Sequence, residues 1–118
     1  MTKIKIAKSL LYKSSKDIMK IEEQELVSLL ILLNARECGT ILERIKDLMF
    51  CVIIVNKLIN IIPEIIVSII CNHYISEEKF ARMSGCLSKM RKSYLSSLAN
   101  EKDKQILQRA FAIRLRHF

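Results

Sequence analysis

Histidine, cysteine and carboxylate side chains carry most protein chemistry, and in this chain they are few and scattered. The two histidines are His73 and His117. His73 follows Cys71 with one residue between them, and no second pair of that kind completes a zinc tetrahedron. A single His at a helix end reads as a surface or capping residue. The cysteines, Cys38, Cys51, Cys71 and Cys86, lie 13, 20 and 15 residues apart, with no C-x-x-C pair. Three of the four stand among apolar residues. They are expected to be reduced, buried, small hydrophobes of an intracellular protein, with a disulfide framework as the alternative. Glu77 and Glu78 are adjacent, and neighbouring helix positions diverge by about 100°, so they fit a helix start better than an acid/base pair. Gly39 and Gly85 stand alone, which leaves no Gly-rich phosphate loop. The expectation is a protein that is not an enzyme, with no metal, cofactor or small-molecule substrate.

What remains is charge. The net charge is +8, and it is distributed unevenly. Residues 1–20 carry +5, residues 21–75 carry −3 and residues 76–118 carry +6, so an apolar, slightly acidic middle is flanked by two basic ends. Such a balance favours anionic partners. Lysines stand at 3, 5, 8, 13, 16 and 20; Lys3, Lys5, Lys8, Lys13 and Lys16 are the candidate phosphate-neutralising residues. A plain solvated basic face is the competing reading of the same residues. Aromatic interleaving is poor, with Tyr12 alone near this cluster, so a stacking platform for single strands is not supported.

Those residues need elements to position them. With 118 residues, 51% of them hydrophobic, the chain has the length of one domain and the composition of a folded one. Two glycines and one proline leave little material for tight turns and argue against an all-β fold. The expected fold is all-α: a helical bundle of about five helices over residues 1–100, followed by a basic tail, 101–118. In the tail Phe111, Ile113 and Leu115 alternate with Arg114 and Arg116, which favours a short C-terminal strand, although Leu107, Phe111, Leu115 and Phe118 also fit a helix. Near the start, Ile4, Ala7, Leu11 and Ile18 predict one basic amphipathic helix over about 3–18. Glu22, Glu23 and Glu25 predict a helix start near Glu22. Ile41, Ile45, Leu48, Val52, Val55, Ile59 and Ile62 recur at intervals of four and three, predicting one long central helix. Around 48–55 it is apolar on nearly every side, so it is expected to need cover from a bundle or from another subunit. Pro63 with Glu64 starts a further helix ending at Ile70 or Cys71, and Ser76 caps the next, about 77–99. Arg91 projects onto the apolar face of that last helix, either as a snorkelling side chain or as a partner contact.

No secretory signal is visible behind Met1. The stretch Leu48 to Cys71 invites a transmembrane reading, but it contains Asn56, Lys57, Asn60, Pro63, Glu64 and Ser68. A charge near a bilayer centre costs about 2.5–3.5 kcal/mol. Two buried helices are preferred.

Three local features between Asn34 and Leu98 are similar to the helical A-domain of the GINS family, small subunits of the replicative helicase assembly. Arg36-Glu-Cys-Gly-Thr-Ile-Leu-Glu-Arg-Ile-Lys-Asp-Leu-Met resembles that family's Arg-bearing helix leading into a long buried one. Ile61-Ile-Pro-Glu-Ile-Ile resembles its hinge. Ile75-Ser-Glu-Glu-Lys-Phe-Ala-Arg-Met and Lys89-Met-Arg-Lys-Ser-Tyr-Leu-Ser-Ser-Leu resemble the start and end of its closing helix. The tail Phe111-Ala-Ile-Arg-Leu-Arg resembles the first strand of the B-domain. The resemblance implies a scaffold that assembles through A-domain helices, as a homo- or hetero-oligomer, and bridges the MCM helicase and a RecJ-like protein. By that analogy the partner-interface residues are Leu48, Val52 and Val55, expected in the buried packing, and Arg82, Arg91 and Tyr94, expected at partner contacts.

Two functions are therefore expected from the sequence. The first is a scaffold subunit of a DNA-replication complex, cytoplasmic, at the nucleoid or replication fork. The alternative is a small basic helical nucleic-acid-binding protein, such as a ribonucleoprotein small subunit or a viral regulator. An anionic membrane surface, reached through the basic N-terminal helix, stands behind both.

Overall fold

Short polar side chains decide where these helices begin. In the computed structural model, residues 2–76, 78–80, 82, 83 and 105 are described. Ser14 starts one helix by accepting the Asp17 N–H at 3.2 Å. The Glu22 carboxylate starts another, accepting the N–H groups of Gln24 and Glu25, and these two bonds hold its pKa below the ordinary glutamate value. Asn34 and Glu37 form a reciprocal capping box, with bonds of 2.8 and 3.2 Å. Asp47 accepts the Phe50 N–H at 3.0 Å. Pro63 sits in the first turn of the last helix bounded within the described residues, where its missing N–H costs nothing.

The resulting order is α1 (Lys3–Ser9), a 3-10 turn (Leu10–Tyr12), α2 (Ser15–Met19), α3 (Glu23–Leu30), α4 (Ala35–Arg44), α5 (Leu48–Ile61) and α6 (Pro63–Cys71). Among the described residues every regular element is helical, so the protein is an all-α bundle. The helix expected to start at Ser76 is present at its origin, where Lys79 N–H donates to Ser76 Oγ at 3.2 Å and Phe80 N–H to Ser76 O at 3.0 Å. The remainder of that helix and, apart from Gln105, the tail 101–118 lie outside the described residues, and so does the expected strand.

Two expected helices are each broken in two. The predicted helix over 3–18 stops at Tyr12, because Lys13 is extended (φ −87°, ψ 149°) and Ser14 recruits the chain into a new start. Ala7 and Ile18 are buried as expected, whereas Ile4 is exposed. The predicted central helix is interrupted at residues 45–47. Ile45 is extended (φ −67°, ψ 116°), and Asp47 restarts the helix two residues later. The stripe survives the break: Ile41, Ile45, Val52, Val55 and Ile59 are all buried.

Helix α5 lies at the centre and packs against α6 and α3, while α4 packs against α6. Its buried side includes Cys51, Val52, Ile54, Val55, Leu58 and Ile59. Around Val55, the side chains of Ile66, Ile69, Ile70, Phe80 and Met83 leave a void of about 10 Å³, at the lower limit for one water. Lys57 on α5 pairs with Glu23 on α3 at 3.2 Å. Only the two ends of α5 show large apolar exposure, at Met49 (56%) and Ile61 (59%). The chain therefore supplies most of the cover that the sequence assigned in part to another subunit.

The exit of α6 explains a glycine and a histidine. His73 takes the left-handed conformation (φ 59°), its N–H donates to Ile70 O, and Tyr74 N–H donates to Ile69 O. Those two bonds make a Schellman ending, with His where Gly is usual. His73 is thus an exposed residue at a helix end, as its isolation in the sequence implied. The turn lays Tyr74 across α4: the Arg36 guanidinium stands 5.5 Å from its ring centroid, and a Cβ on Gly39 would lie 2.6 Å from Tyr74 Cβ. Neither that Cβ nor the nearby Tyr74 backbone can move as a flexible side-chain tip does. Gly39→Ala is expected to lower stability by about 1–3 kcal/mol in chemical denaturation; an unchanged midpoint would contradict this packing.

Candidate nucleic-acid interface

Ala7, Leu10 and Ile18 of the first twenty residues turn inward, Ile4, Ile6 and Tyr12 stay exposed, and the lysines lie outside. Ala7, Leu10 and Ile18 are buried, with α1 against α3 and the 3-10 turn against α4. Lys3, Lys5, Lys8, Lys13 and Lys16 are all exposed, as is Lys20. The candidate phosphate-binding lysines are therefore accessible on one continuous stretch of chain.

Two long-range ties fix that stretch to the bundle. The Arg44 guanidinium donates to Leu11 O and, at 3.1 Å, to Lys13 O. The Lys46 N–H donates to Ser15 Oγ at 2.8 Å. Ser15 is buried by this contact, and its hydroxyl also reaches Met19 Sδ at 3.8 Å. The second tie brings Lys46 to α2, so Ser14, Ser15, Lys16, Met19, Lys20 and Lys46 line a groove of about 440 Å³. Asp17 lies on the same helix, 3.9 Å from Lys20. Both partners are exposed, so this contact is weak.

On its other side Lys46 borders a second cleft of about 320 Å³, shared with Glu43, Leu48, Glu78, Lys79 and Arg82. Lys79 is committed to the fold there. Its ammonium donates to the carbonyls of Leu42, Glu43 (2.9 Å) and Ile45 at the end of α4, which matches its three hydrogens. Burial holds its pKa below the ordinary lysine value. Ser76 N–H donates to Glu43 Oε2 at 3.0 Å and closes the same corner. Arg82 is exposed.

The structure separates the residues expected at a partner interface. Leu48, which is half-buried, and Arg82 line one cleft. Val52 (0% exposed) and Val55 (2%) are core residues, and their own chain covers them. Their four-and-three spacing registers burial and does not say which molecule does the burying. Arg91 and Tyr94 lie outside the described residues. Of the five candidate lysines, only Lys16 lines the groove. Lys46 was missed, since its place follows from a hydrogen bond across 31 residues that no local pattern encodes.

The described thiols divide in the same way, and Cys86 lies outside the described residues. Cys38 and Cys51 are buried, and burial pushes them up to about 12 and about 11. At neutral pH both are protonated and poor nucleophiles. Cys71 is exposed, which corrects its reading as a buried hydrophobe: it is the last residue of α6 and has turned out of the core. All three are free, and among the described residues no group of three or more His, Cys, Asp or Glu could hold a metal ion. Nor is any described helix long and apolar enough to cross a membrane.

Compared with family models, curated proteins and solved structures, the chain matches none. Peptide mapping after brief iodoacetamide treatment should find Cys71 alkylated and Cys38 and Cys51 intact until denaturant is added. Equal labelling of the three would refute the burial just described.

Proposed function

We propose that this chain is a non-enzymatic nucleic-acid-binding protein that holds the phosphate backbone on its N-terminal basic face. The observation that carries this reading is the exposure of all six lysines among residues 3–20, joined at Lys16 and Lys20 by Lys46 in one groove. Exposed lysines neutralise phosphates and release counterions, which gives affinity without base recognition. A scaffold assembled through the central helix requires surplus apolar surface there. That premise loses force with Val52 and Val55 enclosed.

Binding through about five phosphates should weaken about 10²–10³-fold between about 50 and 200 mM salt. Replacing Lys3, Lys5, Lys8, Lys13 and Lys16 together by Gln should abolish it, because those residues supply most of the face. A gel shift or anisotropy titration that stays flat for the wild-type chain at the lower salt would end this reading.

A second reading, a scaffold subunit of a GINS-like replication assembly, keeps one observation in its favour. Leu48, expected in the buried packing by that resemblance, and Arg82, expected at a partner contact, line the same cleft. In its homo-oligomeric form this reading requires self-association at micromolar concentration, reversed by Leu48→Ser with Arg82→Glu. A monomer throughout sedimentation velocity would exclude that form.

A further inference from the structure

Tyr12 is 90% exposed, the most exposed of the large apolar side chains in the described part of the chain. Its neighbours take the opposite course: Leu10 is buried and Leu11 packs partly against the core. The fold gains almost nothing from the Tyr12 ring, yet it holds the backbone on both sides of it. Lys13 N–H donates to Leu10 O at 3.2 Å, closing the 3-10 turn. The Arg44 guanidinium binds Leu11 O and Lys13 O, the carbonyls on either side of Tyr12 in the chain. A side chain more than thirty residues away thus fixes the segment that carries an uncovered aromatic ring.

From this we infer that Tyr12 is a stacking platform for one unpaired base, and that the ligand of the basic face is single-stranded nucleic acid. The inference rests on the reading of that face as a nucleic-acid site and narrows it to one ligand class. Ser14, the first residue of the Lys16–Lys20–Lys46 groove, follows Tyr12 by two residues. Lys13 between them is extended, so the two Cα atoms are separated by about 7 Å. Tyr12 thus stands near the edge of the groove that Lys16, Lys20 and Lys46 line, and a strand with one base on the ring would carry its adjoining phosphates toward them. Asp17 is the acidic side chain on α2, and its contact with Lys20 turns its charge toward a lysine of the same face.

The helices argue against a duplex reader. A major-groove reader presents a helix to the base edges. The lysine-bearing helices α1 and α2 have seven and five residues, at most two turns. In a duplex the base faces are already stacked on one another, and an exposed ring has no partner there. In a single strand those faces are free, and every base offers one. A tyrosine whose backbone is already fixed also loses little conformational freedom on binding.

The test is fluorescence anisotropy with three labelled probes of about 15 nucleotides: oligo-dT, the same strand with abasic sugars, and a duplex. Oligo-dT should bind tighter than the other two. Tyr12→Ala should weaken oligo-dT binding about 5- to 100-fold and leave abasic and duplex binding unchanged, while Tyr12→Phe and Tyr12→Trp retain it. Lys16→Gln with Lys46→Gln should weaken all three probes alike. Because Tyr12 is exposed, its variants should keep the wild-type circular dichroism and unfolding midpoint. If Tyr12→Ala binds oligo-dT as the wild type does while the lysine variants lose affinity, stacking is wrong and the basic-face reading stands. A wild-type preference for the duplex also overturns the inference. If the wild type binds no probe at about 50 mM salt, both readings fall.

Discussion

A helix that ends inside a protein leaves carbonyl oxygens that must find donors. The end of α4 is such a place, and much of this molecule is organised around it. Lys79 enters from the segment beyond α6 and binds the carbonyls of Leu42, Glu43 and Ile45. Arg44 reaches the other way, to the carbonyls of the 3-10 turn. Glu43 accepts from Ser76, and the next peptides supply the Lys46 N–H to Ser15. One joint thus ties the N-terminal basic stretch and the segment after Ser76 to the same three-residue break. Continuous helix there would take the Leu42, Glu43 and Ile45 carbonyls and the Lys46 N–H into its own hydrogen bonds and so remove the anchors they make, while leaving the apolar stripe intact.

That joint also sets the composition of the core. Because α4 and α5 are separate rods, both pack on α6, and the apolar surface of α5 is shared among α3, α6 and the residues around Phe80 and Met83. A single straight helix over 41–62 would project well beyond its neighbours, at about 1.5 Å per residue, and would leave more of itself bare. Cys38 and Cys51 act within this core as small apolar side chains. Their raised pKa values are a consequence of the burial, and no cationic group offsets it fully, although Lys79 lowers that of Cys51.

The same geometry divides the cations into two kinds. Lys79 is occupied by backbone carbonyls, and Arg44 by the turn it holds. Those side chains make the fold. The lysines of the first twenty residues and Lys46 remain at the surface, where their charge is available to an anion. A net charge alone does not make this division, since Lys79 and Lys16 count equally in it.

The all-α class, the caps at Glu22 and Ser76, the helix opened by Pro63 and the exposed lysines at 3–16 were legible in the sequence. They depend on periodicity, short-range hydrogen bonding and the cost of burying charge, all of which act over a few residues. Three things were decided only by tertiary structure. Two helices broke at Ser14 and at Asp47, because a polar side chain that starts a helix competes with an uninterrupted apolar stripe, and the stripe reads alike in either case. Val52 and Val55 were enclosed by their own chain, because periodicity measures how much surface must be hidden and not what hides it. Lys46 and the exposed ring of Tyr12 came to flank one stretch of basic chain, because hydrogen bonds spanning some thirty residues place them there, and no local spacing carries that information.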